Sequence, residues 1–442
     1  MLFSFVSILI SILWIILGTS VTKIHPFLVL FSAALLLAFL LGISPIETLN
    51  LIQGGFGQII EKIGLLILFG TVIGVAMEKS NATLALAKGI LKIMNRLPLP
   101  YAISCIGYLV SIPVFCDAAF VILSHLNKTL SQQTKTPLVG LTVALSTGLF
   151  APHVLVPPTP GPLAAAANLE LENLLLLIAM GALIAFILIL VGGAYGNYLN
   201  KKNKFIEEIP SEENTKSEIA LPPFMKAVLP ILAPIVLMCF GTLLKFLPEN
   251  IPGLLYLRFL TLPTTSLGIG MLFAFRLTQF NRKEFLNNSI KKGIEQAAPI
   301  LIITGMGGAL GTIIQTIPLK TYAASIASFD NLGILIPFLI AALLKSAQGS
   351  STVAIITTSS LIFPLLPLLG LDSEMGKVWA IMSLGVGSMT VSHANDSYFW
   401  IVAQMSGMDV KTAYKTHTMG TLIQGGVGLL VVWAGYWIWN VF

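Results

Sequence analysis

Charge is what this 442-residue chain lacks most. Only 10% of its residues are Asp, Glu, Lys or Arg, against about 25% in a soluble globular protein. The shortfall runs from end to end, which argues against a soluble domain. Cysteine is scarce as well. Cys105, Cys116 and Cys239 all fall in apolar runs without metal-ligand spacing, so they read as small buried hydrophobes rather than as a disulfide framework. Enzyme signatures are missing too. The glycines of "GQIIEKIG" and "GMGGALG" follow no strand pattern, and neither a HExxH nor a GxSxG element occurs. No nucleotide machinery for a primary pump is present, and the chain is not read as an enzyme.

What the chain has in excess is apolar residues, 56% of the total. They gather into runs of roughly 17–25 residues, long enough to cross a hydrocarbon core of about 30 Å. Backbone polar groups in lipid must be satisfied within each segment, so these runs should be helices. The spans expected are 2–19, 25–41, 59–77, 101–123, 138–156 and 174–197, then 226–245, 260–275, 297–317, 332–345, 351–369, 375–391 and 419–441. The fold class is therefore all-α, a polytopic membrane protein with about 10–14 apolar segments. The first run, "MLFSFVSILISILWIILGTS", lacks a basic leading region and reads as a membrane helix rather than a cleaved signal.

The net charge of +6 is no nucleic-acid signal, because the lysines and arginines lie in links between apolar runs. The one long polar link, "NKKNKFIEEIPSEENTKSEIALPP", mixes both charge signs and ends in paired prolines. It divides the chain into an N-terminal membrane unit (1–198), a cytoplasmic linker (199–225) and a C-terminal membrane unit (226–442). Lys201, Lys202 and Lys204 place that linker inside. Links 78–100 and 124–137 also carry lysines and both want to be inside, yet a single apolar run separates them. A re-entrant hairpin over 101–123, broken near Pro113, resolves the conflict; an exception to the charge rule is the alternative.

Internal symmetry is visible but weak. Gly70 and Gly74 pair with Gly307 and Gly311 at an offset of 237, and "TGLFAPH" and "GVGSMTVSH" pair His153 with His393 at an offset of 240. Duplicated halves are common in secondary transporters.

Four polar clusters interrupt the oil. Asp117 follows Pro113 inside an apolar run, where a carboxylate is costly and marks function unless it merely caps a helix. His153, Thr159 and Gly161 sit among Pro157, Pro158, Pro160 and Pro162, which no regular membrane helix accommodates. A helix starting near Leu163 would aim free amides at an anion, or the stretch is an ordinary external loop. Lys345, Ser346, Gln348, Gly349, Ser350, Ser351 and Thr352 form a third cluster, suited to the carboxylate and hydroxyls of a small solute, with close helix packing as the plainer reading. His393, Asn395 and Asp396 form the fourth, a polar network able to carry a proton, or a turn at the membrane edge. None of the four has metal-site spacing.

In this order and spacing, "IPVFCDAAF", "PPTPGPLAAA", "AQGSSTVAIIT" and "SHANDSYFW" resemble the gluconate permease family of proton symporters over almost the whole chain. The resemblance implies a multi-pass carrier of the bacterial inner membrane, importing gluconate or a related sugar acid or small hydroxy acid with protons. It implies two inverted-topology repeats with re-entrant hairpins, the second with its tip at Ser346–Thr352. It matches Thr159, Gly161, Gln348, Gly349, Ser350, Thr352 and Asn395 to family positions, and Asp117, His393 and Asp396 likewise. Ser346 and Ser351 join the first group as substrate contacts and His153 the second as a proton-coupling candidate. Partners would be a small organic anion, protons and the bilayer, without cofactor, metal or nucleic acid; a homo-oligomer stays open. D-serine, glycerate and a sodium-coupled carboxylate remain alternatives. Tyr398 departs from the family's usual small pair at 397–398 and puts the substrate in question.

Overall fold

In the computed structural model the chain is described over residues 2–20, 22, 24–94, 96–202, 221–244, 248, 252–278, 282–317, 333–394 and 396–441. Most of the expected linker, 203–220, and Asn395 lie outside the described residues. The N-terminal half holds α1 (Leu2–Ser20), α2 (Pro26–Leu40), α3 (Pro45–Lys79), α4 (Ala82–Ile93), α5 (Leu99–Ser111), α6 (Cys116–Thr134), α7 (Leu138–Leu155), α8 (Pro160–Asn168) and α9 (Leu174–Lys202). The C-terminal half holds α10 (Phe224–Leu244), α11 (Leu254–Thr261), α12 (Pro263–Ala274), α13 (Arg282–Gln315), α14 (Leu335–Gln348), α15 (Ser351–Ile362), α16 (Glu374–Met389), α17 (Ser397–Met405), α18 (Val410–Ala413) and α19 (Met419–Val441). A π-helical turn, Tyr414–Thr418, joins α18 to α19. Among the described residues six helices are long and apolar enough to cross a membrane, α11 and α12 add a pair bent by 70°, and there are five shorter apolar helices. That falls within the segment range the composition implies.

α3 and α13 are longer than their apolar runs. Each starts some fifteen residues early, at Pro45 and Arg282, because the polar stretch ahead of each apolar run stays helical by packing against the far end of the other helix. They run antiparallel. A Cβ at Gly55 would come within 2.9 Å of Ala309 Cα, and one at Gly293 within 3.0 Å of Val72 Cα. Thr71 Oγ1 donates to Gly293 O at 3.1 Å. Such close backbone approach is what small residues provide between membrane helices. Shifting the Gly55–Ala309 contact by the 237-residue offset gives 292 against 72, the neighbourhood of the second contact. A two-fold relation of opposite direction therefore connects the two helices.

The remaining elements repeat in the same order. α5 and α6 correspond to α14 and α15, α7 and α8 to α16 and α17, and α9 to α19. The hairpin expected over 101–123 is present. Ser104 Oγ donates to Ala144 O at 2.8 Å, and Gly107 meets Gly148 and Leu149. Hence α5 and α7 run side by side in one direction, and α6 must return between them. Its partner forms likewise. Ser383 Oγ donates to Ile334 O at 2.5 Å and Gly387 packs on the backbone of Phe338, so α14 and α16 are parallel and α15 reverses.

Lys79, Lys92, Lys201 and Lys202 close helices at one end of the bundle, which the positive-inside rule makes the inner end. Glu170 pairs with Lys62 at 3.5 Å at the opposite end.

Candidate functional site

Both hairpins turn inside the bundle because their tips forbid helix. Pro113 removes an amide donor in the first, and Gly349 takes φ +79° in the second. Two crossings break at the same depth. α7 ends at Leu155, and α8 begins at Pro160 rather than near Leu163, because proline suits the first helical position. α16 ends at Met389 and α17 begins at Ser397. Thr159 and Asp396 are the residues that precede these two short helices, so they hold equivalent places in the two halves.

Around these breaks lies a cavity of about 270 Å³. Three helix starts meet it: α6 with Phe115, Cys116 and Asp117, α15 with Gly349 through Val353, and α17 with Asp396, Ser397 and Tyr398. Phe150 and His153 of α7 line a second side, and Pro299, Ile300 and Ile303 of α13 a third. Among the described residues no side chain caps α6, since Phe115 precedes it, which leaves its first amides open to a ligand. Ser350 caps α15 by accepting from Val353 N at 3.3 Å. Converging helix starts favour negative charge.

Lys345 is the buried cation beside this cavity. Its ammonium ion-pairs with Asp396 Oδ2, donates to Gly349 O at 3.2 Å and lies 5.6 Å from the Phe150 ring centroid. Asp396 Oδ2 also accepts from Ser392 Oγ at 2.5 Å, and Oδ1 accepts from Tyr398 N at 3.0 Å. The pair thus ties the second hairpin to the second broken crossing with its lone pairs occupied, as a buried ion pair requires. Asp117 is different. Cys116 Sγ, 3.7 Å away, is its hydrogen-bond partner, and among the described residues no lysine or arginine lies within ion-pair distance of it. His153 is 5% exposed and its Nδ1 has no hydrogen-bond partner among the described residues.

Of the residues read from the sequence, Asp117, His153, Gly349, Ser350, Ser351, Thr352 and Asp396 all line the cavity. Thr159 lines a small adjoining void of about 10 Å³ together with His153 and Phe115; its hydroxyl donates to Val156 O at 2.5 Å. Gly161 does not reach the cavity. It lets α8 approach α15, where a Cβ would meet Ile355 Cδ1 at 2.9 Å. Ser346 and Gln348 lie on α14 behind the tip, off the cavity wall. His393 is also off the wall, and the equivalent of His153 in α16 falls near Thr390, so the 240-residue histidine pairing is not structural. Asn395 lies outside the described residues. Among the described residues no cluster of three His, Cys, Asp or Glu is arranged to hold a metal.

His417 escaped the sequence reading. It is fully buried next to Ser392 and Ser146, and its only signal was a histidine between two threonines after the last basic link.

A family model described as GntP family permease matches residues 3–438. The chain belongs to the GntP permease family. It is 28% identical over 432 residues to the D-serine transporter DsdX of Escherichia coli K12, covering 96% of each chain. It is 27% identical over 437 residues to a gluconate permease of Pseudomonas aeruginosa, covering 96% of this chain and 95% of that one. In fold it is similar to the YdaH transporter of Alcanivorax borkumensis, with a TM-score of 0.67 at 15% identity over 95% of this chain and 99% of that one. This member of the GntP permease family is thus a multi-pass bacterial inner-membrane transporter rather than an enzyme.

Proposed function

We propose that this permease imports gluconate, or a related sugar acid or small hydroxy acid, by proton symport. The observation that carries the reading is a single cavity, edged by two hairpin tips and a broken crossing, that gathers an unpaired carboxylate, a histidine with a free ring nitrogen and a run of hydroxyls. A volume of about 270 Å³ falls just below the range of about 300–1,000 Å³ typical of drug-sized ligands, which suits a small solute.

The solute's carboxylate would rest on the free amides of α6 and α15, and its hydroxyls on Ser350, Ser351, Thr352 and His153. Lys345 is already neutralised by Asp396, so a bound anion needs one more compensating charge. A proton on Asp117 removes the repulsion between two neighbouring carboxylates. Coupling therefore follows from charge balance. The same reading takes 1–198 and 226–442 as inverted repeats joined by the linker 199–225, with the site at their interface.

D-serine is the second reading, favoured by Asp117. A carboxylate with no ion-pair partner among the described residues suits an ammonium group, and the chain is as similar to a D-serine transporter as to gluconate permeases. A thermal-unfolding screen of the purified protein with gluconate, glycerate and D-serine separates them. Stabilisation by gluconate that survives in Asp117→Asn fits the first reading; stabilisation by D-serine alone, lost in Asp117→Asn, replaces it with the second. Uptake driven by a sodium gradient and not by a proton gradient would remove the proton assignment.

A further inference from the structure

His417 lies off the cavity wall, yet it is wired to it. Its Nε2 is 3.2 Å from Ser392 Oγ, and Ser392 Oγ is 2.5 Å from the cavity-lining Asp396 Oδ2. Its Nδ1 is 3.0 Å from Ser146 Oγ on α7. The geometry points to His417 as the residue that holds the coupling proton, which it receives from Asp396 through the Ser392 hydroxyl. This rests on the proton-symport reading above: Asp117 takes up a proton beside the solute, and His417 is the station that holds the coupling proton on the inner side of the site.

The network satisfies both protonation states of the imidazole. In the neutral ring with hydrogen on Nδ1, Nδ1–H donates to Ser146 Oγ, whose own hydrogen goes to Val143 O at 3.1 Å. Nε2 then accepts from Ser392. When a proton reaches Asp396, Ser392 accepts from that carboxyl, and because Lys345 is then left without its counter-ion the state is transient and passes the proton on. When the carboxyl O–H bond breaks, its proton joins Ser392 Oγ while the original Ser392 proton bonds to Nε2. The products are a carboxylate, an intact hydroxyl and an imidazolium. Ser392 now donates to Asp396 and accepts from Nε2–H, so no polar atom is stranded and no heavy atom moves far.

The surroundings fit a relay better than a packing role. Tyr398 and Phe399 of α17 face the imidazole with ring centroids at 5.6 and 6.3 Å. Tyr398's hydroxyl is turned away to Ser146 O at 2.9 Å. The charged groups nearby are Asp396 and, behind it, Lys345, with Lys415 exposed on His417's own segment. The π-helical turn holding His417 also fixes the middle of the relay. Thr418 Oγ1 donates to Ser392 O at 2.6 Å, and Ser392 N donates to Thr421 Oγ1 at 3.0 Å. Such π turns break helical register at functional positions. Ser146 stands about two turns above the inner end of α7, so the relay leads from the cavity toward the inner side.

The test compares wild type, His417→Gln and Ser392→Ala in proteoliposomes, using labelled gluconate or whichever acid of the unfolding screen stabilises the wild type. Gln fills the site and cannot carry a proton; Ala at 392 cuts the link and leaves the histidine. We expect both variants to lose accumulation driven by an inside-alkaline pH gradient while keeping counterflow and ligand stabilisation, with Ser392→Thr restoring accumulation. Gradient-driven accumulation by both variants at the wild-type level overturns the His417 relay and leaves symport standing. A wild type that ignores the pH gradient overturns symport and the relay together. Loss of counterflow along with accumulation in a folded Ser392→Ala assigns the network a structural role and also overturns the relay. If His417→Gln does not fold, the Ser392 pair decides alone.

Discussion

Lys345 and Asp396 form a buried ion pair across the site, joining the last turn of α14 to the residue that caps α17. Removing either partner leaves a charge buried without its counterpart, which costs about 3–5 kcal/mol. We expect Lys345→Met and Asp396→Asn each to lower the unfolding temperature strongly. The double variant should recover much of the stability and no transport. Thermal unfolding in detergent, run beside an uptake assay, checks both halves of this expectation.

The α3–α13 crossing tolerates no side chain at Gly55, where a Cβ would lie 2.7 Å from Gly308 O and 2.9 Å from Ala309 Cα. Backbone atoms on both sides cannot yield. Gly55→Val should therefore abolish the monodisperse folded protein, whereas Gly54→Val, with open space at its Cβ, should leave it intact. Size-exclusion profiles of the two variants give the comparison.

Ser350 at the second hairpin tip lines the cavity and is half-buried. With Cys105, Cys116 and Cys239 replaced by alanine, Ser350→Cys should react with a water-soluble thiol reagent, and bound substrate should slow that reaction. A cysteine at Ser383, which is fully buried and donates to Ile334 O, should stay unreactive under the same conditions. Labelling rates read by mass spectrometry test this.

Tyr398 presents its ring to the cavity and its hydroxyl to Ser146 O. Losing that bond costs about 1 kcal/mol and takes no polar atom away from the solute. Tyr398→Phe should thus reduce stability slightly and keep the order of substrate preference. Tyr398→Ala should enlarge the cavity and admit bulkier acids. A competition series against labelled substrate distinguishes the two.

Much of this architecture was legible before the structure. Charge placement pointed to the turn near Pro113, because lysines on both flanks of one apolar run share a side if the run reverses, with an exception to the charge rule as the alternative. The glycine offset of 237 also relates the first residues of α8 and α17, Pro160 and Ser397. The histidine offset is not structural, since His393 belongs to a break in which loop residues have no fixed register. Polarity in an oily run found Asp117, His153, the hydroxyls of the second tip and Asp396, because burying such groups is costly without a task. Ser346, Gln348 and Gly161 share segments with those residues but lie off the cavity wall. Polarity missed His417 because that residue follows a basic link and reads as interfacial; only tertiary packing against Ser146 and Ser392 reveals it.

The most direct measurement of the central claim is solute accumulation in proteoliposomes under separately imposed gradients, for wild type and Asp117→Asn. The account predicts that an inside-alkaline pH gradient concentrates gluconate in sodium-free buffer. It also predicts that Asp117→Asn alters this coupling while the folded protein still binds the acid. Accumulation that follows a sodium gradient and ignores the pH gradient would contradict it.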